Sequence, residues 1–83
     1  MTKEDALKSV VEIISGTISV APGRITPSLS IGGIMEWNSV ANLEIILAIE
    51  ENLGMKIPTE DLFELTSVES IVNEVMKLKG IQA

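Results

Sequence analysis

The sequence predicts an all-α fold: a four-helix bundle of three longer helices and one short third helix, with a long loop between the first and second. Three observations carry this. Apolar residues recur at helical spacing in three separate segments. Gly, Pro and Ser crowd into one stretch, 16–37, that parts the first segment from the second. The apolar residues are aliphatic almost throughout, with Trp37 and Phe63 the only aromatics, so the core is built of Ile, Val, Leu and Met, which suits helix packed on helix. The 83 residues suffice for one domain, taken as 1–83, with a thin core.

The first helix is expected over about 3–15. Thr2 and Asp5 stand at the spacing of a capping box, with Asp in the place of Glu. Leu7, Val10, Val11 and Ile14 follow at i, i+3, i+4, i+7 and form one apolar face, and Gly16 is a natural stop. In the loop 16–37, Pro22 and Pro27 oppose a long helix. Ile18, Val20, Ile25, Leu29, Ile31 and Ile34 are spread through it and are expected to pin it over the core, giving an ordered loop.

The second helix should begin at Asn38 or Ser39, both good N-caps, and run to about residue 53 before Gly54. Asn42, Ile45, Ile46, Ile49 and Leu53 share one face, assigned to the core. Val40, Leu43, Glu44, Leu47 and Glu51 share another, in which aliphatics stand beside acids. Such a stripe fits either a recognition surface or a second core contact. A short third helix is expected over about 59–64, capped by Thr59, with Glu60 and Asp61 in its first turn. The fourth, about 67–79, is introduced by a Thr66/Glu69 capping box. Val68, Ile71, Val72 and Val75 form its apolar face, Lys77 and Lys79 suit its C-terminal dipole, and Gly80 ends it.

Composition excludes several classes of chemistry. With no Cys and no His, there are no disulfides, no thiolate nucleophile, no Cys/His zinc site and no Ser-His pair. No Asp-x-Asp-x-Asp-Gly calcium loop occurs, and no metal site is expected. The longest apolar run, Ile45 to Ile49, is far too short to span a bilayer, and the acidic N-terminal residues are unlike a signal peptide, so a cytoplasmic location without membrane insertion is expected. The net charge is −6. Between Ser30 and Met76, Lys56 is the single basic residue, against Glu36, Glu44, Glu50, Glu51, Glu60, Asp61, Glu64, Glu69 and Glu74. An acidic surface repels nucleic acid and attracts basic protein patches; the plainer reading is a solvated helix surface.

Ser39 lies where the long loop meets a helix N-terminus. Unpaired N–H groups and the positive end of the helix dipole favour a phosphate on or near its hydroxyl. Taken alone, Asn38-Ser39 before a helix is an ordinary N-cap. The wider pattern is more telling. Trp37 to Pro58, WNSVANLEIILAIEENLGMKIP, resembles the acyl carrier protein family, and the resemblance extends over almost the whole chain. Ser39 matches the modified serine; Glu50-Glu51, Ile57-Pro58 and Leu65-Thr66-Ser67-Val68 match later landmarks in order and spacing.

The resemblance implies a carrier rather than an enzyme. A separate phosphopantetheinyl transferase, with Mg²⁺, would move 4'-phosphopantetheine from coenzyme A to the Ser39 hydroxyl. The arm's thiol would carry acyl groups as thioesters, as in fatty acid or polyketide biosynthesis, and would supply the reactive thiol that a chain without Cys lacks. Val40, Leu43, Glu44, Leu47, Glu50 and Glu51 would form the docking face of a monomer for acyl-loading and acyl-processing enzymes with basic patches. Three positions depart from the family pattern: Asn38 replaces the Asp before the serine, Val40 the Leu after it, and Ala41 stands where many relatives carry an acid. Asn38 can cap the helix but has no charge to offer a metal. The alternative reading is a degenerate, unmodified carrier or an acidic helical adaptor that acts only through protein contacts.

Overall fold

A computed structural model describes residues 2–80 of the chain. Its order is α1 (Lys3–Ile18), a 3₁₀ turn (Pro22–Arg24), α2 (Ser39–Leu53), a 3₁₀ helix (Thr59–Glu64) and α3 (Val68–Lys79). The expected short third helix is present over the expected residues, with 3₁₀ rather than α geometry. α1 packs along both α2 and α3. Between the three lies the core: Val10 and Ile14 from α1, Ile45 and Ile49 from α2, Ile71 and Val75 from α3, all essentially without solvent contact. These are the positions that helical periodicity selects. Ala6, which the apolar pattern passes over, is buried with them.

Each long helix starts on a side-chain cap. Thr2 Oγ1 accepts from the Asp5 N–H while Asp5 Oδ2 accepts from the Thr2 N–H, completing the expected box. α1 does not stop at Gly16. It continues to Ile18, which packs on the core, and turns at Ser19 in the left-handed conformation (φ 57°). The Ser19 and Val20 N–H groups both donate to the Ser15 carbonyl, and the Ser15 hydroxyl donates to the Val20 carbonyl. Polar side chains close this helix end, so the glycine is not needed for it.

α3 is capped by Ser67 with Ser70, not by Thr66 with Glu69. The reason is tertiary. The loop runs beside the start of α3, where the Leu29 carbonyl accepts from the Val68 N–H, the Pro27 carbonyl from the Glu69 N–H, and the Thr66 carbonyl from the Ile31 N–H. This short antiparallel bridge, Ser30 against Ser67, fixes the register and leaves Ser67 at the cap. Nor does Thr59 cap the 3₁₀ helix: Pro58 is its N-cap and no side chain bonds there. The loop is ordered by its expected anchors, Val20 and Ile25 buried, Ile18, Leu29, Ile31 and Ile34 half-buried against the core.

One acid of the supposed solvated surface is inside. Glu74 is 8% exposed, and its Oε2 is buried without a hydrogen-bond partner. It shares the face of α3 that carries Ile71 and Val75, opposite Asp61 of the 3₁₀ helix. Burial, then the hydrogen bond and the negative charge of Asp61, raise the Glu74 carboxyl above the ordinary glutamate value, with Glu64 adding to the effect and Lys77 opposing it. The Asp61 carboxyl is lowered, chiefly by the same hydrogen bond and then by Lys77, whose Nζ lies 3.4 Å from Asp61 Oδ2. The two carboxyls are thus pushed in opposite directions, Glu74 up and Asp61 down.

The consequence for stability has a definite sign. Above the ordinary glutamate pKa the folded chain binds more protons at Glu74 than the unfolded chain. Stability therefore falls as pH rises from that value through the raised folded one. Asp61 acts oppositely at lower pH, its contribution being lost as pH falls below the ordinary aspartate range. Glu74→Gln, which keeps the shape and removes the charge, should raise the melting temperature at pH 7, by roughly 4–8 °C for each kcal/mol gained in a domain this small. The gain should shrink as pH falls below the ordinary glutamate value. Thermal melts of both proteins across pH 4–8 check this; a constant difference would mean that Glu74 titrates alike in the folded and unfolded chain.

Candidate functional site at the start of helix α2

α2 begins at Ser39 because Asn38, in extended conformation, turns its side chain back over the first turn. Asn38 Oδ1 accepts from the Ala41 N–H at 2.8 Å, and the Asn38 carbonyl accepts from the Asn42 N–H at 2.9 Å. Among the described residues, the Ser39 and Val40 N–H groups have no hydrogen-bond partner. The Ser39 side chain is exposed beside them. Asn38 thus takes the cap, and the Ser39 hydroxyl is left free. Unpaired donors and the helix dipole both favour an anionic group on that oxygen.

The preceding residue fixes this junction in space. Trp37 is wholly buried, the largest side chain in the core. Its indole Nε1 donates to Asn42 Oδ1 at 2.9 Å, and Asn42 Nδ2 donates to the Leu65 carbonyl at 3.0 Å. One buried relay therefore ties the end of the loop to the first turn of α2 and to the segment before α3. Asn42 was assigned to the core face of α2 by periodicity, and these bonds explain how a polar residue is tolerated there. The backbone around Trp37 is equally constrained, its N–H donating to the Ile34 carbonyl and its carbonyl accepting from the Gly32 N–H at 2.8 Å. Ser39 stands two residues beyond an immobilised ring, on a rigid helix.

An open groove adjoins Ser39, lined by Arg24, Ile31, Gly32, Gly33, Ile34 and Met35 of the loop as well as by Trp37 and Asn38. It is lined by apolar side chains and one cationic residue, Arg24. These features fit a phosphodiester with a flexible, largely uncharged extension. They do not fit self-catalysis: the chain has no His or Cys to activate Ser39.

The second face of α2 is solvent-facing and is not a second core contact. Val40, Leu43 and Leu47 are 68, 58 and 63% exposed, and Glu44 and Glu51 are exposed beside them. Glu50 differs from its neighbours. It is half-buried, and its Oε2 accepts from the Ile57 N–H at 2.7 Å, closing the turn from α2 toward the 3₁₀ helix. A shallow groove between α2 and the 3₁₀ helix continues this face, lined by Leu43, Leu47, Lys56, Thr59 and Leu62. Phe63, 89% exposed, and Met35, 94% exposed, are further apolar side chains in water; sequence periodicity singled out neither, because both lie outside the long helices.

The family model for the phosphopantetheine attachment site matches residues 8–75, most of the chain. The chain is 33% identical over 79 residues to the meromycolate extension acyl carrier protein of Mycobacterium leprae, covering 95% of this chain and 69% of that protein. It is 32% identical over 77 residues to an acyl carrier protein of Rubrobacter xylanophilus, covering 93% and 95%. An acyl carrier protein of Thermosynechococcus vestitus is 29% identical over 73 residues, covering 88% and 90%.

Proposed function

Since this chain belongs to the acyl carrier protein family, we propose that Ser39 is the attachment point of its 4'-phosphopantetheine, and that the exposed face of α2 presents the loaded arm to partner enzymes. The chain is a carrier, not a catalyst. The arm supplies a terminal thiol on which acyl groups are held as thioesters. The observation that carries the assignment to Ser39 is its exposed hydroxyl at the N-terminus of α2, with Asn38 doing the capping and two neighbouring N–H groups unpaired.

The residues divide the work. Ser39 Oγ is the acceptor atom: it forms the new P–O bond as the pyrophosphate linkage of coenzyme A breaks and adenosine 3',5'-bisphosphate leaves, while a phosphopantetheinyl transferase provides the base that removes the serine proton. The Ser39 and Val40 N–H groups face the charge that the phosphate brings. Trp37 and Asn42 hold the junction still, so that a transferase or acyl-processing enzyme meets the serine in one geometry. Asn38 has no carboxylate to lend to Mg²⁺, so the ligands of that ion would be drawn from the transferase and the phosphates of coenzyme A. The cargo is acyl, of the kind handled in fatty acid or polyketide-type biosynthesis. The alternative of an unmodified adaptor has no support in the comparisons.

A thiol assay tests this reading, because the chain has no cysteine. Incubation with coenzyme A, Mg²⁺ and a promiscuous phosphopantetheinyl transferase should add one titratable thiol per chain. Absence of any thiol after complete incubation would contradict the carrier reading.

The docking face is tested by charge. Val40, Leu43 and Leu47 offer contact area, while Glu44 and Glu51 attract a basic patch and act chiefly on the rate of encounter. Glu50 is bonded to the Ile57 N–H, so its reversal would disturb the turn as well and is the poorer probe. Reversal of Glu44 and Glu51 together to Lys should slow association with the transferase at low salt. The penalty should fade as the Debye length shrinks from about 10 Å at 0.1 M to about 3 Å at 1 M. Unchanged association rates at low salt would leave these acids as a merely solvated helix surface.

A further inference from the structure

The assignment of Ser39 leaves open where the arm lies between encounters. Between Lys8 and Lys56 the chain has one basic residue, Arg24, and the fold places it in the groove beside Ser39. Nothing in the sequence pattern joins the two, which are separated by fifteen positions of loop. Arg24 ends the Pro22–Arg24 turn, and the buried Ile25 that follows anchors it to the core. Among the described residues its guanidinium has one partner, Glu36, with Nη1 3.5 Å from Oε2 and both side chains about half exposed. Such a pair contributes little stability and exchanges readily.

Gly32 and Gly33 line the same groove as Arg24 and Ser39. Gly32 has φ +82°, a conformation that strains any other residue. At Gly33 an added Cβ would lie 2.9 Å from Leu29 Cδ1 and 3.0 Å from the Ser30 carbonyl oxygen. Ile34 and Met35 line the groove with these glycines.

We propose that Arg24 holds the phosphodiester of the Ser39-linked arm, exchanging Glu36 for it, and thereby lays the resting arm along the 30–35 loop rather than over the exposed face of α2. The inference rests on the assignment of the arm to Ser39. Guanidinium presents paired N–H donors to phosphate, and two fixed donors, the Ser39 and Val40 N–H groups, face the same anion from the helix. Glu36 competes for the guanidinium, so docking is reversible and weakened by salt. The face formed by Val40, Leu43 and Leu47 stays clear for partner enzymes while the arm is docked.

The test uses holo-protein made enzymatically and confirmed by intact mass, compared with Arg24→Gln and Glu36→Gln. The arm's phosphorus is read by ³¹P NMR and the Arg24 guanidinium by its Nε–H signal. In the native sequence the Arg24 signal should shift between apo and holo forms. The ³¹P resonance should differ from that of Arg24→Gln and approach it as salt is raised. Glu36→Gln, which frees Arg24, should move the resonance further from that of Arg24→Gln and make it more resistant to salt. Identical ³¹P resonances in native and Arg24→Gln proteins at all salt concentrations, with an unshifted Arg24 signal, would overturn the proposal while leaving the carrier assignment intact. Failure of the native chain to gain the arm's mass would remove both.

Discussion

Trp37→Ala should destabilise the domain by about 3–5 kcal/mol, the range for deleting a fully buried large aromatic side chain. Trp37 is at the upper end for two reasons. Its ring is wholly buried, and the deletion leaves Asn42 Oδ1 without its indole donor inside the core. An orphaned buried acceptor costs a further ~1–3 kcal/mol unless water reaches it. A domain of this size has about 4–12 kcal/mol in total, so the variant should be largely unfolded or close to it at 37 °C. Urea denaturation followed by far-UV circular dichroism checks this. Trp37→Phe helps to separate the two contributions, since it removes the donor and the smaller ring but keeps a six-membered aromatic ring in the core; it should lose less than Trp37→Ala. A Trp37→Ala loss below about 1 kcal/mol would mean that the relay through Asn42 does not organise the start of α2.

The relay matters to function because it reaches the serine through the backbone. Partners recognise a serine at a fixed place on a fixed helix, and the loop that delivers the chain to that place is long. Without Trp37, the loop is still pinned at Val20 and Ile25 and at its bridge to Ser67, but the last turn before Ser39 loses its anchor. Trp37→Phe should therefore retain modification, while Trp37→Ala should lose it along with the fold.

Much of this architecture is written in local patterns. The core faces of α1, α2 and α3 follow from aliphatic spacing, and the Thr2/Asp5 box and the Asn38 cap from short polar residues ahead of each run. What local pattern misses is set by contacts between distant segments. Ser67 rather than Thr66 caps α3 because carbonyls of Pro27 and Leu29 occupy the next two N–H groups. The end of α1 depends on Ser15 and Ser19, residue types that carry no strong stop signal. Glu74 lies at i+3 from Ile71, within the apolar stripe, and that spacing is a legible sign of its burial; its acidic neighbours in the sequence obscure it. Of the site, Ser39 and the exposed aliphatics of α2 are visible from sequence. The inward turn of Glu50 toward Ile57 and the approach of Arg24 to Ser39 require the fold.

The second large effect is all or none. Ser39→Ala removes the only atom to which the arm is proposed to be joined, and it should do so without harm to the fold. Ser39 is exposed at the first helical position, its hydroxyl makes no hydrogen bond among the described residues, Ala is a better helix former, and Asn38 retains the cap. The two proteins should therefore melt within about 1 kcal/mol of each other. The most direct measurement is intact mass after incubation with coenzyme A, Mg²⁺ and a promiscuous phosphopantetheinyl transferase, carried out on both in parallel. The native chain should gain the mass of one phosphopantetheine, and folded Ser39→Ala should gain none. An equal gain by Ser39→Ala would contradict the assignment of the arm to Ser39 and place it on another hydroxyl of the chain.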